Sequence, residues 1–472
     1  MEFKKGTILS SIRMETMAAE GKCVAHYDGR VLFTTGCAPG DVADVELTKI
    51  KSNFLEGKAV NIIALSPYRD EPFCMHFGLC GGCSWQHIQY RTQLTYKHQQ
   101  VIDNLERIGG LELPPVNAII GSARQSRYRN RLDFTFTASR WMTREELDAG
   151  GTMGQPGLGF HIPKMYDRVF NVETCHLMDN PVDKLRNLVR DTAVKNDIPF
   201  FDLRRQVGYL RTLTIRMTQA GEMMVILQVA YDEPQWLKII LDTITVNFPE
   251  AHSVNYIING KRNDTFHDLN IITWKGDSWI TEKMERPDGK GQLNFRIGPK
   301  SFYQTNSLQA EVLYKEAWKL AGLTGAELVY DLYTGTGTIA NYIAADCKKV
   351  IGLEYVAAAV EDAKVNAQLN GNLNTDFYAG DMKDLLSESF ILEHGKPDVI
   401  ITDPPRAGMH EDVVKMLLRI AAEKIVYISC NPATQARDLK WLSESYRIAA
   451  VQPVDMFPQT MHVENIVMLI RK

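Results

Sequence analysis

A thiol and two carboxyl groups stand beside apolar segments in the C-terminal part of the sequence. Cys430 follows the segment KIVYIS, Asp403 follows PDVIIT and precedes two prolines, and Glu464 precedes the apolar run NIVMLI. A cysteine after a buried strand usually only fills the core. At the mouth of a crevice, however, a thiol can act as a nucleophile, and a carboxylate beside it can act as a general base.

Beside a methyl donor, for which the turn described next provides the evidence, a thiol and a base would suit the methylation of carbon 5 of uracil. Carbon 5 is too weak a nucleophile to attack a methyl group unaided, whereas carbon 6 is electrophilic. Addition of the Cys430 thiolate to carbon 6 would turn carbon 5 into an enolate carbon that can take up the methyl group. Glu464 would then remove the carbon 5 proton, and the thiolate would leave.

The segment VYDLYTGTGTIANYIA has the pattern of a strand, a tight turn and a helix. Gly335 and Gly337 lie in the turn, where the lack of a Cβ lets the backbone approach a ligand, and the helix begins near Thr338. Glu354 and Asp381 end the next two strands, where ribose and adenine would lie. A purely structural turn would use the same glycines. The third glycine of the dinucleotide fingerprint is absent, which favours S-adenosylmethionine over NAD.

The elements that must position these groups follow from the periodicity. After about residue 296, short apolar strands alternate with amphipathic helices, which predicts a doubly wound α/β sheet with ligands at the carboxyl ends of its strands. The last two apolar runs have no helix between them and are expected to pair antiparallel. Residues 1–66 alternate apolar and polar side chains between Gly and Pro turns, as in a small antiparallel β-barrel.

The middle of the chain, residues 67–295, is predicted to be an α+β domain, and residues 296–472 a separate C-terminal domain. A helix is expected near 90–110, where Leu94, Val101, Leu105 and Ile108 have roughly helical spacing and two glycines end the pattern. This helix could pack on the C-terminal domain. A second helix is expected around 181–195.

A group of cysteines marks the start of the middle region. Eight cysteines in 472 residues are too few for a disulfide scaffold, but Cys74, Cys80 and Cys83 fall within ten residues, and Cys175 follows later. In a reducing compartment such clustering indicates metal binding or catalysis, with tetrahedral zinc as the default. The further candidate ligands are His76, His87 and His176.

The composition, 45% hydrophobic and 23% charged, is that of an ordinary globular protein. No apolar run approaches the roughly 18 residues of a membrane span. The first twenty residues carry Glu2, Glu15 and Glu20 and no apolar segment like that of a secretory signal. A cytoplasmic location without membrane contact is therefore expected.

A basic stretch is hidden by the overall net charge of −4. Between Arg124 and Arg144 there are six arginines, interleaved with Tyr128, Phe134 and Phe136. Such a pattern suits contacts to RNA phosphates and stacking on RNA bases. On a strand, however, half of these side chains would be buried, and the aromatic ones would then belong to the core.

Five motifs in this order resemble the RNA uracil-5-methyltransferase family over essentially the whole chain. They are F-Y-Q-T-N (302–306), D-L-Y-T-G-T-G-T, D-P-P-R, S-C-N-P and H-V-E-N. The N-terminal region is similar to the TRAM RNA-binding domain of the ribosomal RNA members. The resemblance implies that Cys430 attacks carbon 6 and that Glu464 is the base. It also implies that the S-adenosylmethionine and uracil pocket is lined by Gln304, Tyr333, Thr338, Glu354, Asp381 and Asp403.

The resemblance also changes the expected metal. Members with this cysteine spacing look like 4Fe-4S proteins, which implies an iron–sulfur cluster held by Cys74, Cys80, Cys83 and Cys175. One departure from the family pattern is Thr334, where many members carry Cys or Ser, and it leaves the two turn glycines intact.

The expected activity is the formation of 5-methyluridine in RNA. The 23S ribosomal RNA is preferred over transfer RNA, because the barrel and the four-cysteine pattern accompany the ribosomal branch. An amino-group methyltransferase acting on adenine or cytosine would use Asp403 without a thiol. A non-catalytic RNA-binding or assembly protein would keep the fold alone. No protein partner is expected, and the chain is expected to act as a monomer.

Overall fold

The structure is a computed structural model that describes residues 3–18, 21–163 and 165–472, so Glu2 and Glu20 lie outside it. Its strands form three larger sheets and one two-stranded hairpin. Within these ranges, no helix combines the length and the apolar character that a membrane crossing requires.

The first sheet has six strands in the order β1-β5-β6-β4-β3-β2. They are β1 (Ile8–Arg13), β2 (Thr16–Met17), β3 (Cys23–Tyr27), β4 (Arg30–Thr35), β5 (Val42–Ile50) and β6 (Phe54–Ala64). Alternate side chains of β5, namely Ala43, Val45 and Leu47, are buried, as the predicted period of two requires. The all-antiparallel prediction is wrong for one pair: β4 and β6 run parallel, because β5 lies on the far side of β6.

The helix expected near 90–110 is present as α1 (Tyr90–Asp103), which continues as a turn of π-helix over Asn104–Ile108. Its buried face differs from the predicted apolar stripe. Val101 and Leu105 are buried in one core with the C-terminal sheet, but Ile108 is exposed. Polar Gln93 and Lys97 take up the rest of the buried face. Local hydrophobic periodicity cannot reveal a helix face that is buried through polar contacts.

The central sheet has the order β13-β12-β11-β10-β7-β8-β9. Its elements are β7 (Arg131–Thr137), α2 (Arg144–Asp148), β8 (Gly157–His161), β9 (Val169–Asn171), α3 (Val182–Lys195), β10 (Leu210–Met217), β11 (Met223–Val229), α4 (Pro234–Asn247), β12 (Ala251–Ile258) and β13 (Ile272–Gly276). Apolar residues of α3 and α4, such as Leu185 and Ile240, share its core. The hairpin β14 (Ile280–Glu285) and β15 (Gln292–Ile297) follows.

The structure changes the interpretation of the basic stretch. Tyr128, Phe134 and Phe136 are core residues, so base stacking on these rings is ruled out by their burial. Five of the six arginines also form ion pairs with carboxylates. The pairs are Arg131–Asp133, Arg124–Asp179, Arg127–Asp179, Arg140–Glu146 and Arg144–Asp148. Such pairing weakens the electrostatic argument for RNA contact here.

The C-terminal sheet has the order β18-β17-β16-β19-β20-β22-β21. Its strands are β16 (Leu328–Leu332), β17 (Lys349–Glu354), β18 (Thr375–Ala379), β19 (Val399–Thr402), β20 (Lys424–Ser429), β21 (Tyr446–Val454) and β22 (Glu464–Arg471). The first five strands in this order are parallel, and β22 is antiparallel to both of its neighbours, which confirms the predicted doubly wound sheet and its closing antiparallel pair.

The helices of this region are α5 (Ser307–Ala321), α6 (Thr338–Ile343), α7 (Ala357–Leu369), α8 (Met382–Leu385), α9 (Glu388–His394), α10 (Glu411–Ile420) and α11 (Pro432–Leu442). The chain leaves β16 toward β17 on one side and returns to β19 on the other. Ligands of doubly wound sheets bind where the strand order reverses in this way, at the carboxyl ends of the strands.

Candidate active site

A cavity of about 450 Å³ lies at this reversal point. Eight of the predicted catalytic and cofactor residues line it: Gln304, Tyr333, Gly335, Thr338, Glu354, Asp403, Cys430 and Glu464. Two predicted cofactor residues, Gly337 and Asp381, are not among the lining residues. Parallel strands with their carboxyl ends at one edge therefore bring together residues that are up to 160 positions apart in sequence, from Gln304 to Glu464.

The two turn glycines have different roles. Gly335 has a φ of +57° and an added Cβ there would meet no atom within 4 Å, so its backbone lies open to the cavity. Gly337 has a φ of +72°, and a Cβ there would lie 2.8 Å from the Cβ of Ala363. Gly337 therefore allows α6 to pack against α7, and Gly335 is the one that leaves room for a ligand.

Glu354 is held in place by the turn that it faces. Its carboxylate accepts hydrogen bonds from the N–H of Gly335 (3.1 Å) and from the N–H of Val356 (2.9 Å). The carboxylate is thus oriented at the cavity before any ligand binds, which suits it to accept ribose hydroxyl groups.

Asp381 follows β18 as predicted but its side chain has another contact. It caps the short helix α8 by accepting the N–H of Lys383 at 3.2 Å, and it is about half exposed. Its predicted role at adenine therefore stays a prediction.

Asp331 supports the turn from beneath. Its buried carboxyl group accepts hydrogen bonds from the Thr334 hydroxyl and from the N–H of Ala340 (3.0 Å). Burial raises the pKa of Asp331 to about 7. The Thr334 hydroxyl thus ties the turn to β16.

Cys430, Asp403 and Glu464 influence one another's ionisation. Burial raises the pKa of Cys430 to about 11, and the charges of Glu464 and Asp403 add to the shift, whereas the positive charge of Arg406 opposes it. Burial and the charge of Asp403 raise the pKa of Glu464 to about 8. Burial and the charge of Asp331 raise the pKa of Asp403 to about 7. Near neutral pH, Asp403 and Glu464 therefore cannot both be fully ionised.

Arg406 is a lining residue to which the sequence analysis gave no role, although it ends the quoted D-P-P-R motif. Its carbonyl accepts hydrogen bonds from the side chains of Asn431 and Thr434, each at 3.1 Å, which join the loop after β19 to the start of α11. Its position directly after two prolines was the sequence feature from which a place in the site could have been predicted. Phe302, the first residue of the quoted F-Y-Q-T-N motif, also lines the cavity. His267, Lys300 and Phe457 line it as well, and no local pattern marks these three.

The four cysteines of the middle region line a second, small cavity together with His76 and His176. His87 is not among its lining residues, and its Nε2 lies 3.0 Å from the carbonyl of Cys37. Across the described ranges, no three His, Cys, Asp or Glu side chains are grouped so that they could hold a metal ion. The described residues therefore show no ready ligand set at these cysteines, either for zinc or for the iron–sulfur cluster that the resemblance implies.

Comparisons with known proteins identify the family. The tRNA (uracil-5-)-methyltransferase family matches residues 272–472, and the TRAM domain matches residues 12–60. An uncharacterized RNA methyltransferase of Bacteroides thetaiotaomicron is 52% identical over 457 residues, which cover 96% of this chain and 99% of that relative. The chain belongs to the RNA uracil-5-methyltransferase family.

A second relative and a solved structure support this membership of the uracil-5-methyltransferase family. An uncharacterized RNA methyltransferase of Porphyromonas gingivalis is 50% identical over 463 residues, 96% of this chain and 98% of the relative. Among solved structures, the Pyrococcus abyssi tRNA (uracil-54, C5)-methyltransferase in complex with S-adenosyl-L-homocysteine superposes with a TM-score of 0.73 at 27% identity, covering 98% of this chain and 100% of that chain.

Membership in the uracil-5-methyltransferase family confirms the coarser predictions. The chain is an RNA methyltransferase that uses S-adenosylmethionine, and RNA is its substrate class. The multidomain architecture, with an N-terminal TRAM domain and a C-terminal methyltransferase fold, is also confirmed.

Proposed function

We propose that this chain methylates carbon 5 of a uridine in RNA through a transient bond between Cys430 and carbon 6. The observation that carries the proposal is that the Cys430 thiol, Glu464 and Asp403 line one cavity with Gly335 and Glu354. Methylation of an amino group would use the Asp403 region but would not require the Cys430 thiol. Carbon 5 chemistry uses both.

The target uridine must be unstacked before it can enter a cavity of this kind. The Cys430 thiolate adds to carbon 6, and the electrons of the carbon 5–carbon 6 double bond move into the carbonyl system as an enolate. The positive charge of Arg406 lowers the pKa of Cys430 and so favours the thiolate that this addition requires. When bound, S-adenosylmethionine supplies the methyl group that carbon 5 takes up.

Glu464 completes the reaction. Its carboxylate takes the proton from carbon 5, the electrons of that C–H bond re-form the double bond, and the Cys430 thiolate is expelled. Because Glu464 is 4% exposed, it acts away from bulk water, and its raised pKa suits a base that must later release its proton.

The methyl donor fits the other side of the cavity. Gly335 leaves its backbone open, Glu354 is already oriented by two N–H groups, and Gln304, Tyr333 and Thr338 complete this wall. We assign these residues to S-adenosylmethionine binding. Asp403, at the end of β19, is assigned to the boundary between donor and uracil.

The pH dependence of turnover gives one prediction. Because burial raises the pKa of Glu464 to about 8, most of this base is protonated at neutral pH. The rate at which a preformed, methylated adduct breaks down, followed after a jump from a common starting pH, should therefore increase about tenfold per pH unit below that pKa and level off above it. Measurement of the rate between about pH 6 and pH 9 tests this, and a rate that is flat from about pH 6 upward would contradict the assigned base.

The proposed substrate is 23S ribosomal RNA, supported by the TRAM domain together with the four-cysteine pattern. Transfer RNA is the second candidate, because the Pyrococcus abyssi protein of similar structure is a tRNA methyltransferase. Mapping of 5-methyluridine in total RNA from cells with and without the gene distinguishes them. Loss of a 23S rRNA site is the expected result, and loss of only a tRNA site would select the second candidate.

We also propose that Cys74, Cys80, Cys83 and Cys175 hold a 4Fe-4S cluster. The support is that four thiols from two distant segments line one small cavity. Four cysteine thiolates are the usual ligand set of a 4Fe-4S cluster. It would fasten the cysteine segment to the central domain, and it takes no part in the methyl transfer proposed above.

Cys80→Ser should remove the broad visible absorbance of an iron–sulfur centre in protein purified without oxygen. Cys347→Ser is the matched control, because Cys347 is a buried cysteine outside this cavity and its loss should leave the spectrum unchanged. Iron and sulfide analysis accompanies the spectra. A colourless wild-type protein that contains zinc would contradict the cluster.

A further inference from the structure

The connection between β21 and β22, residues 455–463 and here called the strap, is unusual in its burial. Connections between neighbouring antiparallel strands are commonly about two to five residues long and lie on the surface. The strap is longer, and none of its residues is exposed. A buried loop must find partners for its backbone polar groups elsewhere in the protein.

Four consecutive carbonyl oxygens of the strap find these partners in four different segments. The Asn306 side chain donates to Met456 (2.9 Å), Lys97 Nζ to Phe457 (3.1 Å), the Tyr128 hydroxyl to Pro458 (2.9 Å), and the N–H groups of Ser84 and Trp85 to Gln459 (2.9 Å each). The strap is thus the place where the cysteine segment, α1, the central domain and the start of α5 meet.

Two side chains of α1 hold the strap most closely. Lys97 forms an ion pair with Asp455 at 2.6 Å, and both side chains are fully buried. Asp455 also accepts hydrogen bonds from the Tyr90 hydroxyl (2.8 Å) and from the N–H of Phe457 (3.1 Å). A buried ion pair gains little net stability but defines one arrangement of the groups around it.

Gln93 makes a reciprocal contact at the other end of the strap. Its amide oxygen accepts the N–H of Gln459 (3.0 Å), and its amide nitrogen donates to the side-chain oxygen of Gln459 (2.8 Å). Gln459 has a φ of +66°, a left-handed conformation that is uncommon outside glycine. Both hydrogen bonds therefore fix a backbone turn that the sequence itself does not favour.

The strap leads directly into the active site. Phe457 lines the cavity, and Glu464 is the residue that follows the strap and begins β22. No part of α1 lines the cavity, so Gln93 and Lys97 can affect the chemistry only through the strap.

We propose that Lys97, Gln93 and Tyr128 are positioning residues that hold the strap so that Phe457 and Glu464 face the uracil ring. This inference rests on the proposed function, since it presumes that Glu464 removes the carbon 5 proton. The positioning acts on proton removal, which follows the bonding of Cys430 to the ring. Loosening the strap therefore slows breakdown of the covalent RNA adduct more than its formation.

The test compares two tyrosine substitutions. Tyr128→Phe deletes only the hydroxyl that reaches Pro458. Tyr446→Phe is the matched control, because the Tyr446 hydroxyl donates to the Ala422 carbonyl at 2.9 Å, away from the strap and the cavity. Tyr128→Phe should slow adduct breakdown about fivefold and raise the adduct fraction on denaturing gels, with the rate of adduct formation unchanged. Tyr446→Phe should behave as the wild type.

A second substitution carries a larger expected effect. Lys97→Met should slow adduct breakdown on the order of 10²-fold, because small displacements of a reacting group have effects of that size, and Lys97→Arg should partly restore the rate. If Lys97→Met does not fold, because it leaves the Asp455 charge unpaired, Tyr128→Phe decides.

Glu464→Gln is the reference for both variants. If it accumulates adduct while Tyr128→Phe matches Tyr446→Phe in adduct fraction, the positioning is overturned and the proposed function stands. If Glu464→Gln also fails to accumulate adduct, the base role is overturned, and the positioning with it.

Discussion

Cys430→Ala should reduce methyl transfer to RNA by more than about 10⁴-fold, as expected for loss of a catalytic nucleophile. Without the sulfur, carbon 5 never becomes an enolate carbon, and no other residue of the cavity can replace it. Among the lining residues, Cys430 is the one that carries a thiol. The measurement is transfer of radiolabelled methyl groups from S-adenosylmethionine to total RNA of cells that lack the gene.

Two controls make this result specific. Cys347→Ala changes a buried cysteine outside the cavity and should retain activity. Calorimetry should show that Cys430→Ala still binds S-adenosylmethionine, because Glu354 and Gly335 are unchanged. Retained methyl transfer would instead support an amino-group methyltransferase. A wild-type protein that binds no S-adenosylmethionine would support a non-catalytic RNA-binding role.

Glu464→Gln should trap the enzyme on its RNA. The amide cannot accept the carbon 5 proton, so Cys430 bonds to the ring and the methyl group is transferred, but the thiolate is not expelled. Turnover should decrease about 10²- to 10⁴-fold, and a protein–RNA species should persist on denaturing gels. Burial of Glu464 supports a large effect, because little water reaches the proton in its place.

The double variant Cys430→Ala/Glu464→Gln is the matched control, since it removes the sulfur and should form no such species. An equal amount of the protein–RNA species in the double variant would show that it does not depend on the thiol. A Glu464→Gln enzyme that turns over at the wild-type rate would remove Glu464 from the mechanism.

The parallel sheet is the part of the site that the sequence could predict. Apolar strands each ended in a candidate group, as at Glu354, Asp403 and Cys430, and parallel strands bring their carboxyl ends to one edge. The distinct roles of Gly335 and Gly337 could not be predicted, because they depend on how closely α7 approaches each glycine.

The long-range polar contacts could not be predicted from the sequence. Lys97 and Asp455 are separated by 358 positions, and a lysine on a helix normally indicates a solvent-facing side. For the same reason the apolar stripe predicted for α1 gave too much weight to Ile108 and none to Gln93. The arginines of the basic stretch likewise met carboxylates, such as Asp179, that no local spacing connects to them.

The most direct test uses RNA that contains 5-fluorouridine, incubated with the wild-type enzyme and S-adenosylmethionine. Fluorine at carbon 5 cannot leave as a proton does, so the reaction stops after methyl transfer with the ring still bonded to the enzyme. Protease and nuclease digestion followed by mass spectrometry should locate a methylated fluorouridine on the peptide that contains Cys430. No covalent complex, or one attached to a different residue, would contradict the mechanism.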